Sequence, residues 1–395
     1  MKSITKVKNL KNKVVLLRLD LNVAWQGDTL EEAEAFRLQA VAPTLRFLRK
    51  RGAKTVILSH LGRPNGRPKL ELSLAPVIRY LAKLLGVKIK FVPHLGGAPV
   101  KRAVKKMRGG EIMALENLRF DKREEANEAG LASELAAVGD LYVNDAFAVC
   151  HRSAASLSAI TKFLPSYAGP LLEREVKNLS KILIKPKRPL ILIMGGIKFE
   201  TKIPIIKKLL PLADKVLLGG GLATTALAAA GYGVGSSTTE KEYFTEAAKL
   251  VKIKKIVLPI DVIVASKNKP QQYRRVVLSK KPAKLVGAGE AIYDIGPAAI
   301  ASWAMEIKKA ATLVWNGPVG FFETAPFGLG TNSLALLVGS RSSGQAFGVV
   351  GGGETVTALL QSQMFQYIDH VSTGGGAMLE FLAGKRLPGI VALEK

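Results

Sequence analysis

Cysteine is almost missing from this sequence, since Cys150 is the only one among 395 residues. A single cysteine excludes an intrachain disulfide and is typical of a reducing compartment. No apolar run approaches the length of a membrane span. The N-terminal lysines are not followed by the apolar core that a secretory signal requires. We therefore expect a cytoplasmic protein.

Aromatic and acidic residues are also scarce. Aromatics make up 6% of the chain. There are 31 Asp and Glu against 58 Lys and Arg, so the net charge is +27. Residues 51–110 hold 14 Lys and Arg but one acid, Glu71, for a net charge of +13. This basic face attracts anions, so it is either a solvated surface or a feature that favours a polyanionic substrate or a nucleic acid. The low aromatic content and the lack of a recognisable motif argue against nucleic acid as the main partner.

Short apolar runs rich in Val, Ile and Leu alternate with segments of helical periodicity along the whole chain. The predicted strands are Val14–Leu21, Thr55–Ser59, Ile89–Val92, Glu111–Leu115, Leu141–Asn144, Leu190–Met194, Lys215–Leu218, Lys255–Leu258, Ala311–Trp315 and Ala346–Val350. The predicted helices are Arg37–Arg51, Pro76–Leu85, Pro99–Met107, Asn127–Val138, Leu171–Ile184, Leu222–Ala230, Glu240–Val251, Pro297–Ala310 and Thr355–Met364. Apolar strands separated by helices indicate buried parallel sheets with right-handed crossovers. The sequence predicts an α/β protein with two doubly wound, Rossmann-like domains.

The boundary between the two domains is predicted near the middle of the chain. The segment LLEREVKNLSKILI, residues 171–184, lies between YAGP and KPKRP, which are strong breaks in a helical or strand pattern. Its apolar positions suit a helix between domains. We therefore predict domains at 1–170 and 185–379, with a C-terminal tail of about 380–395 that packs back on the first domain.

Polar side chains at strand ends of the first half point to a small anionic ligand. Ligands of open α/β sheets bind at the carboxyl ends of the strands. The polar residues that follow predicted strands there are Arg18, Asp20, Asn22, His60, Arg63, Arg119, Asp145, His151 and Arg152. Arginine forks bind carboxylate and phosphate through paired hydrogen bonds, although a single arginine is more often a solvated surface charge. Several at equivalent strand ends predict a substrate site.

The second half offers glycine runs and lysines instead. Glycines follow the strands in MGGIKFETK, LLGGG, WNGPVGFFE, VVGGGET and STGGGA, and the first of these also carries Lys198 and Lys202. Glycine lets backbone N–H groups approach a ligand closely, and a helix that begins there presents its positive end. The pattern predicts a polyphosphate cradle with mobile cations, although it contains no GxxxxGK[ST] motif. The alternative is that each glycine serves only a tight turn.

Three features permit competing interpretations. Glu354 in GGGET either complements the dipole of a helix N-terminus or holds a metal. Cys150 and His151 suggest a cysteine nucleophile, but neighbours in sequence seldom face each other. The histidines are scattered and do not show the spacing of a zinc site.

As an ordered set, these motifs resemble phosphoglycerate kinase. RLDLNV, SHLGRP, LENLRF, YVNDAF, GGIKFETKI, DIGP, WNGPVGFFE, GGGET and STGGGA follow one another over nearly the whole chain. The resemblance implies phosphoryl transfer between 1,3-bisphosphoglycerate and ADP, giving 3-phosphoglycerate and ATP, with Mg²⁺. It further implies a monomer whose first domain binds phosphoglycerate and whose second binds nucleotide. In-line transfer would accompany domain closure, which aligns the ligands and excludes water.

The resemblance assigns a role to individual residues. The phosphoglycerate ligands it implies are Asp20, Asn22, Arg37, His60, Arg63, Arg119 and Arg152. The nucleotide ligands it implies are Gly196, Lys198, Lys202, Gly219, Gly220, Asn316, Pro318, Glu323, Gly352, Gly353, Glu354 and Thr355. The catalytic groups it implies are Arg37, Lys198, Lys202, Gly353 and Gly376, with Gly375 as a further backbone donor. Glu354 stands where the family has a magnesium-linked aspartate.

The chain departs from the family pattern at a few positions. Ala24 replaces a proline, Glu200 adds a negative charge between the two lysines, and Glu354 is longer than aspartate by one methylene. Residues 148–150 replace a stretch of smaller residues. None of these departures removes a group that the chemistry requires. We also expect the basic face 51–110 to steer the anionic substrate.

Overall fold

The computed structural model describes residues 1–26, 29–279, 282–287 and 289–394. The chain divides into one unit of Met1–Lys177 with Arg386–Lys395 and a second of Asn178–Lys385. The division falls inside the segment 171–184 that was predicted to connect two domains. Lys395, the last residue of the predicted tail, lies outside the described residues.

The first unit is an alternation of strands and helices. Its strands are β1 (Val14–Arg18), β2 (Trp25–Gln26), β3 (Thr29–Leu30), β4 (Lys54–Leu58), β5 (Ile89–Val92), β6 (Ile112–Leu115), β7 (Leu141–Asn144) and β8 (Ser166–Ala168). Its helices are α1 (Glu32–Lys50), α2 (Ala75–Leu85), α3 (Gly97–Lys105), α4 (Lys122–Glu125), α5 (Ala129–Ala136), α6 (Pro170–Ile184) and α14 (Pro388–Val391). Helix α6 continues into the second unit, and α14 comes from the C-terminal segment.

Six of these strands form one parallel sheet in the order β5-β6-β4-β1-β7-β8. Leu17 and Ile57 of the sheet pack with Leu45 of α1 and Leu81 of α2 in one buried apolar cluster. The strands are apolar on both faces because helices cover both. The strand order reverses at β1, and in such sheets the crevice beside the reversal is the usual ligand position.

The second unit repeats this architecture. Its strands are β9 (Leu190–Met194), β10 (Lys215–Leu218), β11 (Ile256–Val257), β12 (Asp261–Ser266), β13 (Lys269–Val277), β14 (Glu290–Ile295), β15 (Thr312–Asn316), β16 (Phe347–Gly351) and β17 (His370–Ser372). Its helices are α7 (Phe199–Leu209), α8 (Gly220–Ala229), α9 (Phe244–Val251), α10 (Pro297–Lys309), α11 (Leu329–Ser342), α12 (Gly353–Gln361) and α13 (Gly376–Leu382). The parallel sheet has the order β11-β10-β9-β15-β16-β17, and the predicted α/β class with two parallel sheets is confirmed.

Several elements of the second unit were not predicted. Strands β13, β12 and β14 form an antiparallel sheet beside the parallel one. Strand β13 reads KPQQYRRVV and is mostly exposed, so it lacks the apolar run that marks a buried strand. Helix α7 contains Pro204, which obscures its helical pattern. Within the described residues, no helix is both long enough and apolar enough to cross a bilayer.

The C-terminal segment packs inside the first unit. The backbone N–H of Gly389 donates to the carbonyl of Cys150 at 2.9 Å, and Asn144 Nδ2 donates to the carbonyl of Gly389 at 3.1 Å. A Cβ added at Gly389 would lie 3.0 Å from Cys150 Cα and Sγ. Glycine is required there because the two backbones are in close contact.

Candidate functional site

The first unit gathers cations around one buried histidine. His60 follows β4 and is 1% exposed. Burial lowers the pKa of His60 well below its usual value, and the guanidinium groups of Arg18, Arg119, Arg152 and Arg37 lower it further. The imidazole is therefore neutral at neutral pH. Its Nδ1 lies 3.1 Å from Arg18 Nη2.

Backbone carbonyls hold two of the predicted arginines in place. Arg37 Nη1, on α1, donates to the carbonyl of Asn22 at 3.1 Å. Arg119 Nη1 donates to the carbonyl of Gly62 at 2.7 Å. Asn22 Oδ1 in turn accepts the N–H of Gly62 at 2.8 Å, and the N–H of Asn22 donates to Asp20 Oδ1 at 3.2 Å. Asn22 thus joins the ends of β1 and β4 and fixes both arginines.

Three arginines line one cavity with two carboxylates. Arg18, Arg119 and Arg152 line a cavity of ≈ 230 Å³ together with Glu124 and Glu125. Arg119 Nε lies 3.3 Å from Glu125 Oε1. Guanidinium groups held in fixed orientations suit paired hydrogen bonds to carboxylate or phosphate. The cavity therefore has the chemistry of a site for a small anion.

Arg18 and Arg63 differ from what the sequence suggested. Arg18 was recognised at a strand end but was given no role, although it is 2% exposed at the centre of the cluster. The sequence did contain a signal for a role of Arg18. This residue lies two positions before Asp20, and alternate residues of a strand share a face. Arg63 is exposed, and within the described part of the chain it makes no hydrogen bond or ion pair. Asp20 Oδ1 lies 3.8 Å from His60 Nδ1.

In the second unit, a buried lysine and an asparagine form the polar centre. Lys202 lies one turn into α7, is 7% exposed, and donates from Nζ to Asn316 Oδ1. Asn316 Nδ2 donates to the carbonyl of Gly351 at 2.7 Å. Burial lowers the pKa of Lys202 to about 8, against the opposing effect of Glu354. The expectation of two mobile cations is therefore wrong for Lys202, whereas Lys198 at the start of α7 is exposed.

Many of the glycines bring two loops together instead of offering free donors. Gly195 donates to the carbonyl of Asn316 at 2.9 Å, Gly196 to that of Pro318 at 2.7 Å, and Gly220 to that of Val319 at 2.9 Å. A Cβ at Gly195 would lie 2.1 Å from the Pro318 oxygen. The N–H of Gly219 is likewise engaged, by the carbonyl of Met194 at 3.0 Å. The expectation that these N–H groups face a ligand is wrong, because carbonyls of the loop 316–319 accept those of Gly195, Gly196 and Gly220, and the carbonyl of Met194 accepts that of Gly219.

The glycines that begin α12 and α13 have open space in front of them. A Cβ added at Gly353 or Gly375 would meet no heavy atom within 4 Å. Gly352 has φ 99° and Gly375 has φ 44°, values that side-chain-bearing residues rarely adopt. Thr355, in the first turn of α12, is buried and accepts the N–H of Gly317 through Oγ1 at 2.9 Å. The N-terminus of α12 therefore faces open space on a rigid support.

Two carboxylates lie at one cavity beside this helix end. Glu323 and Glu354 line a cavity of ≈ 310 Å³ together with Gly196, Gly220 and Pro318. Its remaining wall includes the apolar side chains of Leu227, Val262, Ile292 and Val319. Burial raises the pKa of Glu354, as does the neighbouring charge of Glu323, while Lys202 opposes the rise. The cavity has a polar end with two like charges and an apolar end.

Two other acids of this unit were missed because their partners are distant in sequence. Glu240 Oε2 accepts the N–H groups of Phe199 and of Glu200, the latter at 3.3 Å, and so caps α7. Asp294 is 2% exposed and accepts the N–H of Gly330 at 2.7 Å. Burial raises the pKa of Asp294 to about 7. Sequence patterns contain no local signal for such long-range caps.

The buried position of Cys150 argues against its interpretation as a nucleophile. Cys150 is fully buried, and burial raises the pKa of its thiol to about 12. A thiol with that pKa carries almost no nucleophilic thiolate at neutral pH. Among the residues the structure describes, no three His, Cys, Asp or Glu side chains are grouped to hold a metal.

Comparison with known proteins agrees with these features. A sequence model of the family described as phosphoglycerate kinase matches residues 4–385. The chain belongs to the phosphoglycerate kinase family. It is 41% identical over 389 residues to the phosphoglycerate kinase of Thermomicrobium roseum, with 97% of each chain covered. It is also 41% identical over 393 residues to the chloroplastic phosphoglycerate kinase of Volvox carteri, with 98% of this chain and 84% of the relative covered.

Solved structures of phosphoglycerate kinases have the same fold. The structure from Coxiella burnetii matches with a TM-score of 0.84 and 38% identity, covering 99% of this chain and 98% of that one. The structure from Pyrococcus horikoshii matches with a TM-score of 0.86 and 31% identity, covering 100% and 98%. The predicted function is confirmed at this level: the chain has the activity of a phosphoglycerate kinase, a glycolytic phosphotransferase with a carboxyl group as acceptor.

Proposed function

We propose that this chain binds the phosphoglycerate in its first unit and the nucleotide in its second, and transfers a phosphoryl group reversibly from 1,3-bisphosphoglycerate to ADP. The observation that carries the proposal is the cluster of fixed arginines around the neutral His60. Buried cations that outnumber the acids around them are costly unless an anionic ligand completes the cluster. Membership of the phosphoglycerate kinase family supports phosphoglycerate as that anion.

On the phosphoglycerate side, charged and neutral groups have separate roles. Arg119 and Arg152 contribute guanidinium groups for the phosphate and carboxylate, and we assign the exposed Arg63 to the same ligand. A neutral His60 can donate or accept a hydrogen bond without adding charge. Asp20 and Asn22 fix the ends of β1 and β4, and they have polar atoms suited to the hydroxyl of the substrate.

On the nucleotide side, the cavity of ≈ 310 Å³ suits a base, a ribose and a phosphate chain. Its apolar wall accepts the base, and Gly196 and Gly220, the latter next to Gly219 in the chain, line the same cavity. Glu323 accepts hydrogen bonds from ribose hydroxyls. Lys202, Asn316 and Pro318 border the phosphates, as do Gly352, Gly353 and Thr355 at the start of α12. The dipole of α12 favours negative charge at this position.

The transfer itself requires stabilisation of charge on the moving group. We assign Arg37, Lys198 and Lys202 to that charge, and the backbone at Gly353 and Gly376 to hydrogen bonds from two helix N-termini. No nucleophilic side chain is needed, because an oxygen of the substrate attacks. Acyl phosphate and nucleotide must meet with water excluded, so we propose that the two units close on their ligands during turnover.

The residues present fit a magnesium ion at Glu354. Its carboxylate makes no hydrogen bond or ion pair within the described residues, and burial, followed by the like charge of Glu323, raises its pKa. Mg²⁺ uses one or two carboxylates together with substrate phosphates and water. Such a site needs no group of three protein ligands, and none is found in the described part of the chain. When bound, Mg²⁺ would neutralise phosphate charge.

A coupled assay of ATP-dependent phosphorylation of 3-phosphoglycerate tests this function. The folded wild type should turn over, and substitution of Arg119 should raise KM for 3-phosphoglycerate while KM for ATP is unchanged. Folded protein without turnover would contradict the proposal. A monomer and a cytoplasmic location remain predictions from the sequence and are measured separately, by light scattering and by cell fractionation.

We also propose that the basic face 51–110 steers the substrate. Strand β5 is an edge strand, and exposed lysines and arginines cover it and the adjacent helices α2 and α3. The observed kcat/KM for 3-phosphoglycerate should fall as ionic strength rises, while kcat changes little. A flat salt response would contradict steering. A gel-shift assay with RNA and DNA tests the nucleic-acid alternative, which predicts binding that charge reversal in α3 abolishes.

A further inference from the structure

A buried network behind the arginine cluster has no role in the reaction as described so far. Ser156 is fully buried, and its Oγ accepts a hydrogen bond from Arg18 Nε at 2.9 Å. The same hydroxyl donates to Glu124 Oε1 at 2.6 Å. A hydroxyl can donate and accept at once, so Ser156 links a guanidinium to a carboxylate that it does not otherwise touch.

Both ends of this link are fixed by further contacts. Glu124 is 2% exposed, and its Oε2 accepts the N–H of Ser156 at 3.0 Å. Tyr142 OH donates to the carbonyl of Ser156 at 2.6 Å. The serine is therefore held on its N–H, its carbonyl and its hydroxyl, and it has one orientation available.

The network ends at the candidate substrate cavity. Arg18 donates from Nη1 to the carbonyl of Leu19 and its Nη2 lies 3.1 Å from His60 Nδ1, so three contacts determine where the guanidinium lies. Arg18 and Glu124 line the same cavity as Arg119 and Arg152. Glu124 is thus the buried acid beside a cluster of cations. Long arginine side chains lose much conformational freedom when ordered, and a fixed acceptor supplies that order before the ligand arrives.

From this geometry we propose that Ser156 and Glu124 are positioning residues for phosphoglycerate binding: the hydroxyl and carboxylate hold Arg18, and through it His60, in the orientation that accepts the anion. The inference rests on the proposed function of the first unit. It concerns binding of one substrate only, because every residue of the network belongs to the first unit.

The primary test is Ser156→Ala, assayed for both substrates in the coupled reaction. The variant should raise KM for 3-phosphoglycerate by about ten-fold, the effect of one lost charge-assisted hydrogen bond, with KM for ATP and kcat within about two-fold of wild type. The matched control is Ser158→Ala. The hydroxyl of Ser158 is also buried, but it makes no hydrogen bond to any residue that the structure describes, so both KM values should stay unchanged.

A double-mutant cycle separates positioning from general stabilisation of the fold. In the Arg18→Ala background, Ser156→Ala should add no further increase in KM, because the group that it positions is gone. If the serine only stabilises the unit, its effect should persist in that background. If Ser156→Ala does not fold, Glu124→Gln replaces it in the cycle, since glutamine keeps the shape but removes the charge.

The outcomes are distinguishable from failure of the proposed function. An inactive wild type would overturn the function, whereas an active wild type with an unchanged KM in folded Ser156→Ala would overturn the inference alone. An equal rise in KM for ATP would also overturn it. A rise confined to 3-phosphoglycerate and absent in the Arg18→Ala background would support it.

Discussion

Each unit places its candidate ligand groups at the carboxyl end of its own parallel sheet, but the groups differ in chemistry. The first unit uses side chains: arginines held by Asn22, Gly62 and Ser156 surround a neutral His60. The second uses backbone: glycine loops pack against one another, and the start of α12 faces open space. A compact anion is bound best by guanidinium groups whose N–H groups match the positions of its oxygens. An extended phosphate chain can be bound by the backbone N–H groups at helix N-termini. The same fold therefore supports two recognition modes.

Removing a side chain at the reacting group should have the largest effect. Arg37→Ala should lower kcat by roughly 10²–10³, because the variant loses a cation that stabilises charge in the transition state. The matched control is Arg46→Ala, which removes an exposed arginine from the same helix and should leave kcat unchanged. Steady-state kinetics of both variants decides between them. Equal kcat values in the two variants would show that Arg37 has no role in transfer.

The glycines of the second unit should separate into two classes. Gly195→Ala places a methyl group 2.1 Å from the Pro318 oxygen, so we expect a loss of about 1–3 kcal/mol in the free energy of unfolding. Gly353→Ala meets no atom within 4 Å and should retain its stability while kcat/KM for the nucleotide falls. Urea denaturation and kinetics measure the two quantities. Equal stability of both variants would contradict the packing role of Gly195.

The magnesium requirement tests the least typical residue of the nucleotide cavity. Glu354→Ala should raise the Mg²⁺ concentration for half-maximal activity by about ten-fold, while Glu354→Asp should stay near wild type, because a carboxylate is the preferred ligand. Glu200→Ala removes a carboxylate from the first turn of α7 and serves as the control. Unchanged magnesium titrations in both Glu354 variants would leave a helix-dipole role as the explanation.

The buried lysine gives the second unit a pH dependence near pH 8. With a pKa of about 8, Lys202 is charged below that pH and neutral above it. Phosphate favours the charged amine, so kcat/KM for the nucleotide should fall by up to about ten-fold per unit as the pH rises above 8. Lys202→Met should lower kcat/KM and remove this decline, whereas Lys208→Met, an exposed lysine on the same helix, should keep it. A decline that persists in Lys202→Met would assign the titration to another group.

The first unit was more predictable from the sequence than the second. The apolar runs predicted its strands. Arg119, Arg152 and His60 were predicted as ligands because they follow such runs, and the structure brings them together. Arg18 was recognised at a strand end but given no role, because its contact with Ser156 joins residues that are distant in sequence. The glycine runs were ambiguous, since a glycine that lets two loops pack resembles one that admits a ligand. Only the three-dimensional contact of Gly195 with Pro318 distinguishes them.

The remaining surprises share one physical cause. Helix α7 is capped by Glu240, and Asp294 accepts an N–H at the start of α11. Each contact joins residues that are distant in sequence and become neighbours only in the folded chain, so no local sequence pattern predicts it. The exposed strand β13 was missed for a related reason, since its sequence carries charge where a buried strand would carry apolar residues.

Separate binding measurements for the two substrates test most directly whether the first unit binds phosphoglycerate and the second binds nucleotide. Isothermal titration of wild type, Arg119→Ala and Lys202→Met with 3-phosphoglycerate and with ADP in Mg²⁺ gives six dissociation constants. Arg119→Ala should weaken 3-phosphoglycerate by about ten-fold or more and leave ADP within about two-fold, and Lys202→Met should do the reverse. If Arg119→Ala weakened ADP as much as 3-phosphoglycerate, the assignment of one ligand to each unit would be contradicted.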